Sequence, residues 1–201
     1  MGYQLTPIAV DHDALRLAIG SGDAGLVGKV RGRFYTEIKR IDRLLKEVLD
    51  PDEEPLTTSD LLRHLIMGEP RREDAGFGYG YCLELICRQL GQALPNSGWS
   101  AMHGDWFDAV AAALRDCGVN SSALAIRDLA FRGPPVPLPP IDDFPGIGYL
   151  TAAEIGTARA ALAAADVSRL DDEQVASSIR QVQEWLDACM ASNRGLVCFY
   201  A

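Results

Sequence analysis

A proline-rich stretch two thirds of the way along the chain limits what the sequence can fold into. Six of the 11 prolines lie between Gly133 and Pro145. Because proline fixes φ and lacks a backbone N–H, this stretch cannot be helical. We predict an extended, polyproline-like segment inside a Pro/Gly-rich internal loop over 133–148. Helices and strands must therefore form from the sequence on either side.

Apolar residues recur at helical spacing before this stretch. The clearest pattern runs from Phe34 to Val48 in steps of four and three residues, and an acidic loop over 50–55 follows it. Thr57 begins a capping pattern with Asp60. The glycines of 76–81 suggest either a phosphate cradle or a tight loop packed on the next helix. The remaining helices are predicted from Asp11 or Asp13 to Gly20, after Asp23, over 83–94, from Trp106 to Gly118 and over 124–129.

The two chain ends are both predicted to be strands. Residues 3–10 are apolar and bounded by Asp11, and Pro7 favours a place at a sheet edge. After the prolines come a helix capped by Thr151 and a longer helix that Gly195 ends. Residues 196–200 form the closing strand. We predict an α+β fold, a helix-rich single domain over 1–201 with a small, mostly antiparallel sheet that includes both terminal strands.

Composition and cysteine usage narrow the class of protein. Of the 201 residues, 48% are hydrophobic, which is typical of a globular domain and unlike a disordered one. No apolar run reaches the length of a membrane-spanning helix, and the N-terminus lacks the basic region of a secretory signal. The five cysteines show no CxxC spacing, so buried free thiols in a reducing cytoplasm are the expectation.

Charge is unevenly distributed along the chain. The total is −9, yet residues 29–46 carry seven basic side chains against two acidic ones. A nucleic-acid surface and a solvated helix face both explain such a segment, but the negative net charge of the whole chain opposes the approach of phosphate. We therefore expect no nucleic-acid partner and no membrane partner. The acidic C-terminal third and the basic segment are candidates to face each other.

Several sequence features together resemble the YfbM-like family of uncharacterised bacterial proteins. The opening Met-Gly-aromatic strand, the step from Tyr149 to Glu154 and the closing strand over 196–200 carry this resemblance. Where that family has an Asp-Lys-x-Trp-His run in its middle helix, this chain has Asp60 followed by Leu61, Leu62, Arg63 and His64. The resemblance implies an α+β cytosolic protein and supplies no activity.

Five side chains are candidates for a binding site. His64 lies four residues after Asp60, so a carboxylate on the same helix face would orient its imidazole; an ordinary surface pair explains the same spacing. His103 falls among Trp99, Trp106 and two aspartates, a polar and aromatic cluster whose tryptophans also suit a core. Tyr79, within the glycine-rich segment, completes the set.

Other chemistry finds little support in the residue patterns. There is no Gly-x-Ser-x-Gly elbow and no histidine spacing typical of a transition-metal site, so we predict no catalytic residue, no metal and no cofactor. Asp142 and Asp143 suggest either a hard-cation site or a solvated turn.

Two functional classes remain. The first is a binding or protein-interaction module that presents acidic and proline-rich loops to a basic protein partner. The alternative is an enzyme that acts on a small polar metabolite through a pocket of histidine, aspartate and aromatic side chains.

Overall fold

The computed structural model describes residues 2–48 and 56–201, so the predicted acidic loop over 50–55 lies outside the described residues. The helices there are α1 His12–Ala18, α2 Ala24–Arg33, α3 Tyr35–Val48, α4 Thr58–Met67, α5 Gly76–Leu90, α6 Trp106–Asp116, α7 Asp128–Phe131, α8 Ala152–Ala164 and α9 Glu173–Ser192. The strands are β1 Leu5–Val10, β2 Gln92–Ala93, β3 Gly146–Leu150 and β4 Gly195–Tyr200. Among the described residues, no helix is long and apolar enough to cross a membrane.

The strands form one antiparallel sheet in the order β2-β1-β4-β3. Ile8 of β1 lies opposite Val197 of β4, and Ile147 of β3 lies opposite Phe199. This arrangement confirms the α+β fold with both terminal strands in a small antiparallel sheet. The edge position predicted for β1 is wrong, because the two-residue β2 covers its other side. Pro7 is tolerated there since its carbonyl accepts from the N–H of Leu94, which requires no N–H from proline.

Contacts divide the chain into two compact units. The sheet unit consists of the described residues up to His12 together with Gly91–Pro135 and Gly146–Ala201. The helical unit consists of the described residues of Asp13–Leu90 together with Val136–Pro145. In the sheet unit β4 is buried along its whole length, and α9 packs on β1 and β4. In the helical unit α2, α3 and α4 surround α5.

Both predicted capping boxes are present. Thr57 caps α4 and exchanges bonds with Asp60, and Thr151 caps α8 in the same way with Glu154. Asp23 also caps α2 as predicted. The end of α9 differs from the prediction: Asn193 adopts the left-handed conformation there, with φ of 50°, and Gly195 already begins β4. Asparagine tolerates this conformation, so it ends the helix without glycine.

The glycine-rich segment is helical, which overturns the loop prediction. Gly76 begins α5, and a Cβ on it would lie 1.7 Å from the carbonyl oxygen of Pro140. A Cβ on Gly78 would meet Leu61 of α4, and one on Gly80 would meet Pro145. The three glycines therefore let the proline-rich segment and α4 approach the helix backbone closely. The carbonyl of Pro140 fills the space that a phosphate cradle would need.

Three further boundaries differ from the sequence prediction. Residues 146–148, assigned to the internal loop, pair with β4 as the start of β3. The helix predicted over 83–94 ends at Leu90, because Gln92 and Ala93 pair with β1. The short helix predicted over 124–129 is α7, which begins only at Asp128.

Candidate functional site

His64 and Tyr79 meet inside the helical unit. The Nδ1 atom of His64 lies 2.7 Å from the hydroxyl oxygen of Tyr79, which also accepts from the N–H of Arg72 at 3.0 Å. The phenol and the imidazole therefore share one hydrogen bond, and the backbone N–H of Arg72 gives the hydroxyl a second partner. Burial raises the pKa of Tyr79 above its usual value, which keeps the phenol protonated. Tyr79 is fully buried, and its hydroxyl holds the imidazole of His64 on the Nδ1 side.

The predicted pairing of His64 with Asp60 is wrong. Asp60 serves the cap of α4, where its carboxylate accepts from both the N–H and the hydroxyl of Thr57. Asp60 and His64 are four residues apart on the same helix. The carboxylate of Asp60, however, bonds to Thr57 in the capping box, and the Nδ1 atom of His64 bonds to Tyr79. His64 is therefore held by a phenol and carries no structural sign of a carboxylate-oriented base.

Trp99 belongs to the core of the sheet unit. Its side chain is fully buried, its ring lies 5.9 Å from that of Trp185, and its Nε1 donates to the carbonyl of Ser178. The core interpretation of this tryptophan is the one that the structure supports. A ring so enclosed offers no face to a ligand.

His103 and Trp106 line a cavity of about 570 Å³ in the sheet unit. Ser97, Ser100, Glu173, Gln174 and Ser177 share its walls, and we call it the polar cavity. Within the described residues, the buried Nε1 of Trp106 has no hydrogen-bond acceptor. The structure thus brings His103 and Trp106 together at one cavity, and it pairs His64 with Tyr79 in the other unit.

The helical unit has a cavity of its own, of about 390 Å³. Leu44 and Val48 from α3, Phe77 and Tyr81 from α5, and Phe144 supply apolar surface. Four carboxylates surround this surface. We call the site the acidic groove and define its acids as Glu73, Asp74, Asp142 and Asp143.

Local sequence explains how the acidic groove forms. Glu73 and Asp74 lie in a 3₁₀ turn directly before α5, and Asp142 and Asp143 lie between Pro140 and Pro145. The contact between Gly76 and Pro140 brings these two acidic segments to the same end of α5. The groove therefore depends on the absence of a side chain at position 76.

Three of the four groove carboxylates are unpaired. Asp74 accepts from Arg72, but in the part of the chain that the structure describes no hydrogen bond or ion pair engages Glu73, Asp142 or Asp143. Burial raises the pKa of Tyr81, with Asp143 and Glu84 acting in the same direction and Arg40 against them. The guanidinium of Arg40 lies 5.7 Å from the Tyr81 ring centre, so a cation already occupies one side of this ring.

Sequence patterns identified only half of this groove. The sequence patterns indicated Asp142 and Asp143 as a cation site or a solvated turn. They did not predict Glu73, Phe77 or Tyr81 as site residues. The available signal was the pair of acids two and three residues before a glycine-rich helix start. Its meaning depends on the distant contact between Gly76 and Pro140, which no local pattern reveals.

The described residues form no metal site and no reactive thiol site. Among the described residues, no group of three or more His, Cys, Asp or Glu side chains is placed to hold a metal ion. Cys82, Cys87, Cys189 and Cys198 are buried free thiols, and burial raises the pKa of each, that of Cys189 to about 12. Such thiols stay protonated at neutral pH and are poor nucleophiles.

Comparison with known proteins assigns a family without an activity. No curated protein and no solved structure matches the chain. A family described as a domain of unknown function, DUF7691, matches residues 1–201, and this match gives no link to the YfbM-like proteins. The chain, with its acidic groove and its polar cavity, therefore belongs to the DUF7691 family.

Proposed function

We propose that this chain is a protein-interaction module whose acidic groove binds a basic, partly apolar segment of a partner protein. The observation that carries the proposal is the set of three carboxylates, Glu73, Asp142 and Asp143, that have no partner among the described residues and lie around an apolar and aromatic cavity. Unpaired carboxylates at the surface are solvated, so they are ready to accept charge-assisted hydrogen bonds from an incoming cation.

Lysine and arginine side chains fit this groove better than a small cation does. Each has an aliphatic stem that packs on apolar surface and a charged end that remains at the rim. Leu44, Phe77 and Phe144 suit the stem, and the carboxylates suit the charged end. Val48, with its side chain 63% exposed, extends the apolar surface toward the outside. A partner segment that combines basic and apolar residues would use both features.

The proposal includes a cytoplasmic location. Free, buried thiols suit a reducing compartment, where disulfides rarely form.

The alternative, an enzyme for a small polar metabolite, has less support. This alternative requires His64, His103 and aromatic side chains to lie in one pocket. His64 is held by the buried Tyr79 in the helical unit, whereas His103 lines the polar cavity of the sheet unit.

An unbiased peptide selection tests the proposal. Peptides displayed on phage are selected on the wild-type protein and, in parallel, on the double variant Asp142→Asn/Asp143→Asn. We expect the wild-type protein to enrich peptides that place Lys or Arg beside Leu, Ile or Phe, and the variant to lose this enrichment. Both aspartates are exposed and make no hydrogen bond with described residues, so the fold tolerates the change.

A variant of equal charge provides the control. Asp116 and Asp171 are exposed acids of the sheet unit, and Asp116→Asn/Asp171→Asn changes the net charge by the same amount. The control variant should enrich the same peptides as the wild-type protein. Enrichment of acidic or uncharged peptides, or equal loss in both variants, would refute the groove as the binding site.

A further inference from the structure

The polar cavity of the sheet unit has the properties of a small-molecule site and plays no part in the proposed function. Its volume of about 570 Å³ falls within the range of roughly 300–1,000 Å³ that ligand pockets show. Hydroxyl, amide, imidazole and carboxylate groups line it together with the Trp106 ring. Such a cavity needs an explanation of its own.

One wall of the cavity is rigidly held. Gly98 donates its N–H to Gln181 at 2.9 Å, and its carbonyl accepts from the hydroxyl of Ser178 at 2.6 Å. Ala101 adopts a left-handed conformation, with φ of 56°, although it is not glycine. Two backbone hydrogen bonds between Tyr3 and Met102 fix the chain directly after it. Strained backbone held in this way is concentrated at binding sites, where it keeps side chains in place before a ligand arrives.

Several polar groups at the cavity have no partner in the described part of the chain. No hydrogen bond engages the side chains of His103, Gln174 or Ser177. The Nε1 of Trp106 is buried and has no acceptor among the described residues, so Trp106 contributes its partly exposed ring to the cavity and not this N–H. These groups include donors and acceptors in similar number.

The charge of the lining restricts the ligand class. None of the described residues that line the cavity is Lys or Arg, so the lining offers no permanent cation to a phosphate or a carboxylate. Glu173, the one acid among the described residues of the lining, pairs with Arg180. An uncharged ligand is therefore favoured.

We propose that the polar cavity binds a neutral carbohydrate. A sugar hydroxyl both donates and accepts, which matches the mixed capacity of serine, glutamine and imidazole groups. The apolar C–H face of a sugar ring packs on an aromatic side chain, and Trp106 supplies the partly exposed ring. A flat nucleoside base would use the same ring but leave most of the hydroxyl groups unmatched.

Saturation-transfer NMR on the full-length protein tests this assignment with maltose, cellobiose, trehalose and sucrose as probes. We expect transfer to the ring protons of at least one disaccharide. His103→Ala and Gln174→Ala should each reduce the transfer at least severalfold, since both exposed side chains are replaced without loss of an internal bond. Gln92→Ala, an exposed glutamine of β2 outside the cavity, should leave it unchanged.

Other outcomes overturn the inference. Transfer to adenosine or glucose 6-phosphate in preference to every neutral sugar would refute the ligand class. Transfer to none of the probes, or transfer that persists in both cavity variants, would refute the site. Neither result affects the acidic groove, because the cavity variants change no groove residue.

Discussion

At the scale of the residue, two glycines with opposite surroundings test the packing of the helical unit. A Cβ on Gly76 would meet the carbonyl oxygen of Pro140, whereas a Cβ on Gly28 in α2 would meet nothing within 4 Å. We expect Gly76→Ala to destabilise the protein by about 1–3 kcal/mol or more through overpacking. Gly28→Ala should stabilise it by about 1 kcal/mol, because alanine favours a helix over glycine.

Chemical denaturation of the two alanine variants measures both effects. Equal changes in the free energy of unfolding would contradict the close approach at Gly76. The close approach of Gly76 to Pro140 also matters for the proposed function, because this contact assembles the acidic groove.

The thiols provide a second prediction for individual residues. Cys117 is partly exposed and the other four cysteines are buried, while burial raises the pKa of all five thiols. Because a thiolate is the reactive species, iodoacetamide at neutral pH should label Cys117 first in the folded protein. All five should react after denaturation. Mass spectrometry of intact and digested protein distinguishes this from early labelling of Cys82 or Cys198, which would contradict their burial.

At the scale of the element, the cap of α8 should contribute measurably to stability. Thr151 accepts from the N–H of Glu154, and the Glu154 carboxylate accepts from Thr151 and from Arg132. Thr151→Ala should cost about 1 kcal/mol of stability, the usual effect of losing an N-cap. Urea denaturation at neutral pH measures the loss, and an unchanged midpoint would contradict the role of the cap.

The same cap predicts a pH dependence. Burial alone would raise the pKa of Glu154, but the hydrogen bonds from Thr151 and Arg132 outweigh it and lower the pKa below its ordinary value of 4.5. The charged form is thus favoured by folding, so its contribution is present above pH 4.5 and is lost as the pH falls through the lowered pKa. Melting temperatures of the wild-type protein and of Glu154→Gln should differ at neutral pH and converge in acid. A difference in melting temperature that grows as the pH falls would contradict the lowered pKa of Glu154.

Local elements were the part of the fold that sequence could predict. The caps at Thr57 and Thr151 and the apolar pattern from Phe34 to Val48 depend on residues within a few positions of one another. β3 was missed because Gly146–Leu150 becomes a strand only by pairing with β4, nearly fifty residues away. The helical start at Gly76 was missed since Gly76 and Gly80 are explained by Pro140 and Pro145, which lie more than sixty residues further along the chain.

At the scale of the whole molecule, the chain passes between its two units four times. The sheet unit uses three segments of sequence and the helical unit two, so neither is a continuous piece that ends before the other begins. We therefore expect a single cooperative unfolding transition, in agreement with the single domain predicted over 1–201. Differential scanning calorimetry measures this, and two resolved transitions would contradict it.

The candidate site was predictable only in its chemistry. Net acidity and the proline-rich loop directed attention to carboxylates near 142, but the groove needs α3, α5 and the loop together. His103 and Trp106 do share a cavity, and the sequence suggested this because they are three residues apart. Trp99 could not be assigned to the core until Trp185, from α9, was placed against it.

The central claim is that the acidic groove recognises a basic and apolar segment, and a binding titration with a defined probe tests it most directly. The probe is a short peptide that alternates lysine and leucine, and isothermal titration calorimetry gives its Kd at low and at high salt. Comparison of the wild-type protein, Asp142→Asn/Asp143→Asn and Asp116→Asn/Asp171→Asn separates the groove from the general charge of the molecule.

We predict that the groove variant weakens binding by about three- to tenfold, as expected when two surface charge pairs are lost. The control variant should bind like the wild-type protein, and salt should weaken the binding of both more than that of the groove variant. Equal weakening in the two variants would show that only net charge attracts the peptide and would contradict the account.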